Sequence, residues 1–142
     1  MSANRDHTVE QMTHRTVPLK GKGLRILVVD DDVNSAEAIA SYIAAEDIEC
    51  RIAIGGAQAV GVGVDWLPNL IVMDVSMPEI NGVEAALLLR HHPPTKNIAM
   101  IAFTALDVSE VKRLMKDQEF DGYFQKGQPP AGLISLAKRF IS

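Results

Sequence analysis

Short apolar runs alternating with longer amphipathic stretches predict an α/β protein: a doubly wound, five-stranded parallel sheet with helices on both faces. Two further observations support that class. Runs such as Ile26-Leu27-Val28-Val29 and Leu70-Ile71-Val72-Met73 are wholly aliphatic, as strands buried on both faces should be. Right-handed crossovers put every strand's C-terminal end on one edge of such a sheet, and the acidic, hydroxyl and amine residues Asp30, Asp31, Asp74, Thr104 and Lys126 all follow apolar runs.

The elements follow in order. The first strand spans residues 25–29, and the next helix carries Ile39, Ala40 and Ile43 at helical spacing. Asn34 and Glu37, three apart, suit a capping box at its start. A second strand at residues 50–54 ends at Gly55-Gly56. The second helix, residues 57–64, contains Gly61 and Gly63, each costing roughly 1 kcal/mol relative to alanine. The third strand, residues 70–74, is entered through Pro68-Asn69; Trp66 before it closes the edge of the core. The third helix, residues 82–91, stops before Pro93-Pro94, and His91-His92 read as solvated at its end. Residues 98–103 form the fourth strand. Residues 107–118 form the fourth helix, with Val108, Val111, Leu114 and Met115 on one side. Residues 122–125 form the fifth strand. The last helix opens at Pro129-Pro130 and repeats Leu133, Leu136, Ala137 and Phe140 at i, i+3, i+4, i+7.

The 142 residues suffice for one domain with a real core. Residues 1–23 are polar and mixed in charge and read as a flexible extension, with His7 and His14 solvated. A net charge of −4 and a pI near 5.5 argue against nucleic acid as a direct partner, which needs a basic face. The apolar runs fall far short of the ~20 residues of a membrane-spanning helix, and no secretory signal is visible, so no membrane partner is expected. Cys50, the single cysteine, excludes an internal disulfide and reads as a small buried hydrophobe, compatible with a cytoplasmic protein.

The chemistry concentrates at the predicted sheet edge. Three or four carboxylates in one crevice repel unless a hard cation neutralises them, and Mg2+ suits oxygen ligands best. Asp74 with a neighbouring acidic pair and Lys126 suggests phosphoryl transfer to the Asp74 carboxylate, a step that needs charge neutralisation more than acid–base help. Lys126 supplies a compact positive charge and Thr104 a directional hydroxyl. Each residue also has a plainer reading: Asp30-Asp31-Asp32 as a solvated helix start, Lys126 as a surface lysine, Thr104 as a β-branched strand residue, Tyr123 as core.

Four motifs occur in order: Leu27-Val28-Val29-Asp30-Asp31; Leu70-Ile71-Val72-Met73-Asp74 with Met77-Pro78 and Asn81-Gly82; Phe103-Thr104-Ala105; and Tyr123-Phe124-Gln125-Lys126. Together they make residues 24–142 resemble a response-regulator receiver domain of two-component signalling, of the CheY-like superfamily. The resemblance implies a flavodoxin-like (βα)5 fold and a phosphoryl group taken by Asp74 from a phosphohistidine on a histidine kinase or histidine phosphotransfer protein. It implies Mg2+ held by Asp30, Asp31, Asp74 and a backbone carbonyl of Val75 or Ser76. Lys126 and Thr104 then contact the phosphoryl group, and Thr104 and Tyr123 form a switch pair. The switch remodels the face made by the fourth helix, fifth strand and fifth helix, which signals to a protein target the sequence does not name. Enzymatic action is limited to the domain's own phosphorylation and dephosphorylation.

Gly127 stands where the family usually carries proline, and this favours an alternative, a receiver-like adaptor that works without phosphate. Ser76 and Leu106 occupy the positions that tune phosphate lifetime in the family. A third alternative, a metal-dependent phosphohydrolase, needs a second acid two residues after the nucleophile. Ser76 stands there instead.

Overall fold

The computed structural model describes residues 7–142, in which six strands and five helices form. The strands are β1 (Val9–Gln11), β2 (Arg25–Val29), β3 (Glu49–Ala53), β4 (Leu70–Met73), β5 (Ala99–Thr104) and β6 (Gly122–Gln125). The helices are α1 (Val33–Ala45), α2 (Gly56–Trp66), α3 (Gly82–Arg90), α4 (Val108–Leu114) and α5 (Ala131–Lys138). The sheet order is β1-β6-β5-β4-β2-β3, and β2 to β6 pair in parallel as expected. Winding reverses between β2 and β4, and the crevice above their C-terminal ends is where such sheets bind ligands.

Alternate strand residues feed two cores. Leu27, Val29, Ile71, Met73, Met100 and Ala102 pack with residues of α2, α3 and α4, including Trp66, Leu89 and Val111. Ile26, Val28, Leu70, Val72, Ile101 and Phe124 pack with α1 and α5 through Ile43 and Leu133, and with Phe140 just beyond α5. This period-2 partition is why the runs read as continuously apolar.

The structure corrects four details. Of the expected flexible extension, residues 1–6 lie outside the described residues; Val9–Gln11, however, forms a sixth strand, antiparallel to β6. Without it β6 would present an unpaired edge, and the segment satisfies that edge. The cap of α1 is Asp32, whose carboxylate accepts the N–H groups of Asn34 and Ser35, not the expected Asn34–Glu37 box. Asn34 already lies inside the first turn. Helix α2 continues through both inner glycines to Trp66, because Ala59, Gly63 and Trp66 form its buried stripe. Helix α4 ends at Leu114, short of the expected residue 118. There the Glu119 carboxylate takes the N–H groups of Lys116 (2.7 Å) and Asp117 (3.0 Å) and turns the chain.

At the sheet end opposite the crevice, Asp121 precedes β6 and is fully buried. Its Oδ1 accepts from Thr13 Oγ1 and Arg15 Nε, both at 2.8 Å, and its Oδ2 from Arg90 Nη2 (2.8 Å) and Met100 N–H (2.9 Å). Arg90 further donates to the carbonyls of Lys96, Ile98 and Glu119. One carboxylate thus ties the N-terminal segment, α3, β5 and β6 together. Asp121→Ala leaves two guanidinium groups without their shared anion, and an urea-unfolding measurement is expected to show a loss of about 3–5 kcal/mol.

Candidate functional site

Val29 and Met73 are register partners in the β2–β4 pair, so the next residues, Asp30 and Asp74, leave the sheet side by side. Backbone pairing persists into the crevice: the Asp74 N–H donates to Val29 O (2.9 Å) and the Asp30 N–H to Ala53 O (3.2 Å). Both carboxylates are buried, with 2% of Asp30 and 6% of Asp74 exposed. They are held in the same way. Each Oδ1 accepts the N–H two residues onward, from Asp32 at 2.9 Å and from Ser76 at 3.3 Å. Each Oδ2 accepts from the Lys126 ammonium, at 2.7 Å for Asp30 and 3.0 Å for Asp74.

Lys126 reaches this point from the far side of β5. Its N–H donates to Thr104 O (2.9 Å), which continues the β5–β6 pairing, and its Nζ lies 5.7 Å from the centre of the Phe103 ring. Asp31 is exposed at the rim, and one oxygen each of Asp30, Asp31 and Asp74 lie within 4.8 Å of one another. Asn81 and Glu84 form the capping box of α3, and the Gly82 N–H donates to Val75 O (2.9 Å). A Cβ on Gly82 would stand 2.2 Å from the Asp74 carbonyl oxygen, so only glycine lets α3 close over the loop after the acid.

The electrostatics follow from burial. Desolvation raises the Asp74 carboxyl above its ordinary value and the Asp30 charge adds to this, while Lys126 and the Thr104 hydroxyl oppose it. For Lys126, burial works downward, but hydrogen bonds and attraction from Asp30 and Asp74 outweigh it and hold the ammonium above its ordinary value. The carboxylates form an all-oxygen, hard donor set of the kind Mg2+ takes. An octahedral ion with bonds near 2.1 Å spaces its donors about 3–4 Å apart, so the three acids fit after a small closure.

Thr104, 1% exposed, and the fully buried Tyr123 meet through one residue. The Leu106 N–H donates to Thr104 Oγ1 (3.3 Å), and the Tyr123 hydroxyl donates to Leu106 O (2.5 Å). Burial, with Asp107 and Glu110 nearby, pushes the Tyr123 hydroxyl up to about 12, so it remains a donor.

Of the residues singled out in sequence, Asp30, Asp74 and Lys126 are in direct contact and Asp31 flanks them. Thr104 adjoins Asp74. Ser76 gives the acid its N–H, and Tyr123 stands one step away behind Leu106. Sequence reasoning missed the Asp32 N–H, the Phe103 ring and the Leu106 backbone. The first was within reach: an Asp accepting from residue i+2 is a standard Asx turn.

The family model described as the response regulator receiver domain matches residues 26–138. An uncharacterised 14.6 kDa protein of Leptolyngbya boryana is 30% identical over 81% of this chain and 88% of its own length. The phosphate regulon transcriptional regulatory protein PhoB of Pseudomonas aeruginosa is 33% identical over 84% of this chain. The match spans 52% of PhoB, so the chain corresponds to about half of that relative. The chemotaxis protein CheY4 of Vibrio cholerae superposes with a TM-score of 0.78 at 22% identity, over 83% of this chain and 98% of its own, a likeness of fold. The response regulator TrrA of Thermotoga maritima, solved with Mg2+-BeF, gives 0.73 at 28% identity over 82% and 98%.

Because burial disfavours the ionised Asp74, the neutral isostere relieves an unfavourable charge. Asp74→Asn is expected to melt higher than the parent at pH 7. The gain should vanish as pH falls through the raised Asp74 pKa, where the parent carboxyl also becomes neutral. Thermal unfolding across pH reads this out, and a gain that grew with acidity would contradict it.

Proposed function

The chain belongs to the response regulator receiver domain family, and from that premise we propose that residues 24–142 accept a phosphoryl group on Asp74 from a phosphohistidine donor. The observation that carries this reading is the shared grip of Lys126 on Asp30 and Asp74 at the ends of adjacent parallel strands. An Asp74 carboxylate oxygen attacks phosphorus, the phosphorus–nitrogen bond breaks, and the donor imidazole keeps the electron pair and takes a proton. The product is an acyl phosphate on Asp74.

Asp30, Asp31, Asp74 and the Ser76 carbonyl would hold Mg2+, which when bound supplies positive charge to the phosphoryl oxygens. The Mg2+-BeF complex of the related TrrA supports this assignment. Lys126 shifts its ammonium from carboxylate oxygen to phosphoryl oxygen without leaving the crevice. Thr104 releases the Leu106 N–H and turns its hydroxyl to a further phosphoryl oxygen. Leu106 also receives the Tyr123 hydroxyl, so the change at Thr104 passes to Tyr123 and the start of α4. The surface of α4, β6 and α5 then differs between the two states, and a protein partner reads the difference as a population shift. Among the described residues no helix is long and apolar enough to cross a membrane.

Incubation with acetyl phosphate and Mg2+ is expected to add one phosphoryl group, detected by mass spectrometry, and to add none to Asp74→Asn. Chelation of the metal abolishes the adduct, and Lys126→Ala slows its formation by about a hundredfold. No adduct on the parent chain would favour the phosphate-independent adaptor, and multiple-turnover release from an unrelated ester would favour the phosphohydrolase.

A further inference from the structure

The N-terminal segment lies on the very face just assigned to signalling, and it is held there unequally. Residues 8–11 rest on the edge of β6: Glu10 is opposite Tyr123, and the Gln125 N–H donates to Thr8 O (2.7 Å). Val9 is 44% exposed, and the one ion pair of this stretch, Glu10 with Lys112 of α4 (2.7 Å), is open to solvent. Residues 12–17 are gripped far more firmly. The N–H groups of Met12 and Thr13 both donate to the Asp121 carbonyl (2.7 and 3.1 Å), while the Thr13 and Arg15 side chains bind the buried Asp121 carboxylate. Val17 forms a bridge with Ile141.

We propose that residues 8–11 are a detachable cover of the β6 edge, hinged at Met12-Thr13, which lifts when Asp74 carries a phosphoryl group. Two connections join the cover to the site, and neither touches the anchored part. Lys126 immediately follows Gln125, whose N–H binds Thr8. Thr104 and Tyr123 share Leu106, next to the Asp107 cap of α4, and α4 presents Lys112 to Glu10. A movement of Lys126 and Leu106 toward a phosphoryl group therefore pulls on both contacts of residues 8–11. Local opening is confined to the segment with solvent-exposed pairing and little buried surface. The coupling to phosphorylation rests on the function proposed above, whereas the existence of the hinged cover does not.

Amide hydrogen exchange of the full chain tests both parts. With beryllofluoride and Mg2+, residues 8–11 and the Tyr123 and Gln125 amides are expected to exchange about tenfold faster, while residues 12–17 keep their protection. Slower exchange in the loop after Asp74 reports that the mimic has bound. Bound mimic with an unchanged cover would overturn the coupling, and failure of the mimic to bind would remove the coupling together with the proposed phosphorylation. Glu10→Pro decides the cover without any phosphoryl group, since proline opposite Tyr123 blocks antiparallel pairing. It should raise exchange at Tyr123 and Gln125 by a similar factor and leave residues 12–17 protected. Unchanged exchange at β6, or joint opening of residues 8–17, would show that no separate cover exists.

Discussion

The ammonium of Lys126, placed between Asp30 and Asp74, sets the terms for the rest of the molecule. Two buried carboxylates side by side repel: at 4 Å and an effective dielectric constant of 20, unit charges interact by about 4 kcal/mol. One shared cation offsets that repulsion, and only this strand order lets it do so. β2 and β4 must be neighbours for the acids to adjoin, and β6 must lie beyond β5 so that a long side chain crosses the crevice from the opposite side. Three carboxylates against one ammonium still leave negative charge in excess. That excess suits a hard dication, which under the proposed function would offset the charge of an incoming phosphoryl group.

The parallel core was legible because its central strands β2, β4 and β5 are buried along their own apolar runs. The acids and the lysine were legible because strand ends in a doubly wound sheet converge whatever their separation in sequence. What escaped was polar. Val9-Glu10-Gln11 has no apolar run to mark it; it is a strand because β6 offers an open edge, a fact of tertiary structure. Asp121 carries no sequence signal of its burial, and nothing near it in sequence announces Arg15 or Arg90. The early stop of α4 depends on Glu119 folding back on Lys116 and Asp117, which competes with helix continuation in a way apolar periodicity does not register. Asp32 as the α1 cap shows the opposite case: the local signal was present, but Asn34 with Glu37 gave a rival start two residues later.

β6 carries charge chemistry at both ends, and the two ends differ in kind. Asp121, at its start, is buried with a guanidinium partner on each oxygen, the Thr13 hydroxyl on Oδ1 and the Met100 N–H on Oδ2, so that end has little freedom. Lys126, at its finish, is a quarter exposed, holds two acids that a bound cation could take over, and leads into a loop. A strand fixed at one end transmits a rearrangement at the other to its neighbours instead of absorbing it by sliding. The neighbours on its open side are α4 and the N-terminal strand.

Gly127 bears on how that free end is aimed. It adopts φ of +98°, a conformation proline cannot take, so the loop after Lys126 follows a path of its own. The lysine nevertheless reaches both carboxylates, because its direction is set from behind. The Lys126 N–H on Thr104 O extends the β5–β6 ladder by one residue, and the Phe103 ring lies beneath the ammonium. Aim supplied by the preceding strand leaves the following loop free to vary, and a glycine there loosens the connection to α5 without loosening the grip on Asp74. Within two residues the roles divide: Lys126 belongs mechanically to the sheet, and Gly127 to the loop that leads to α5.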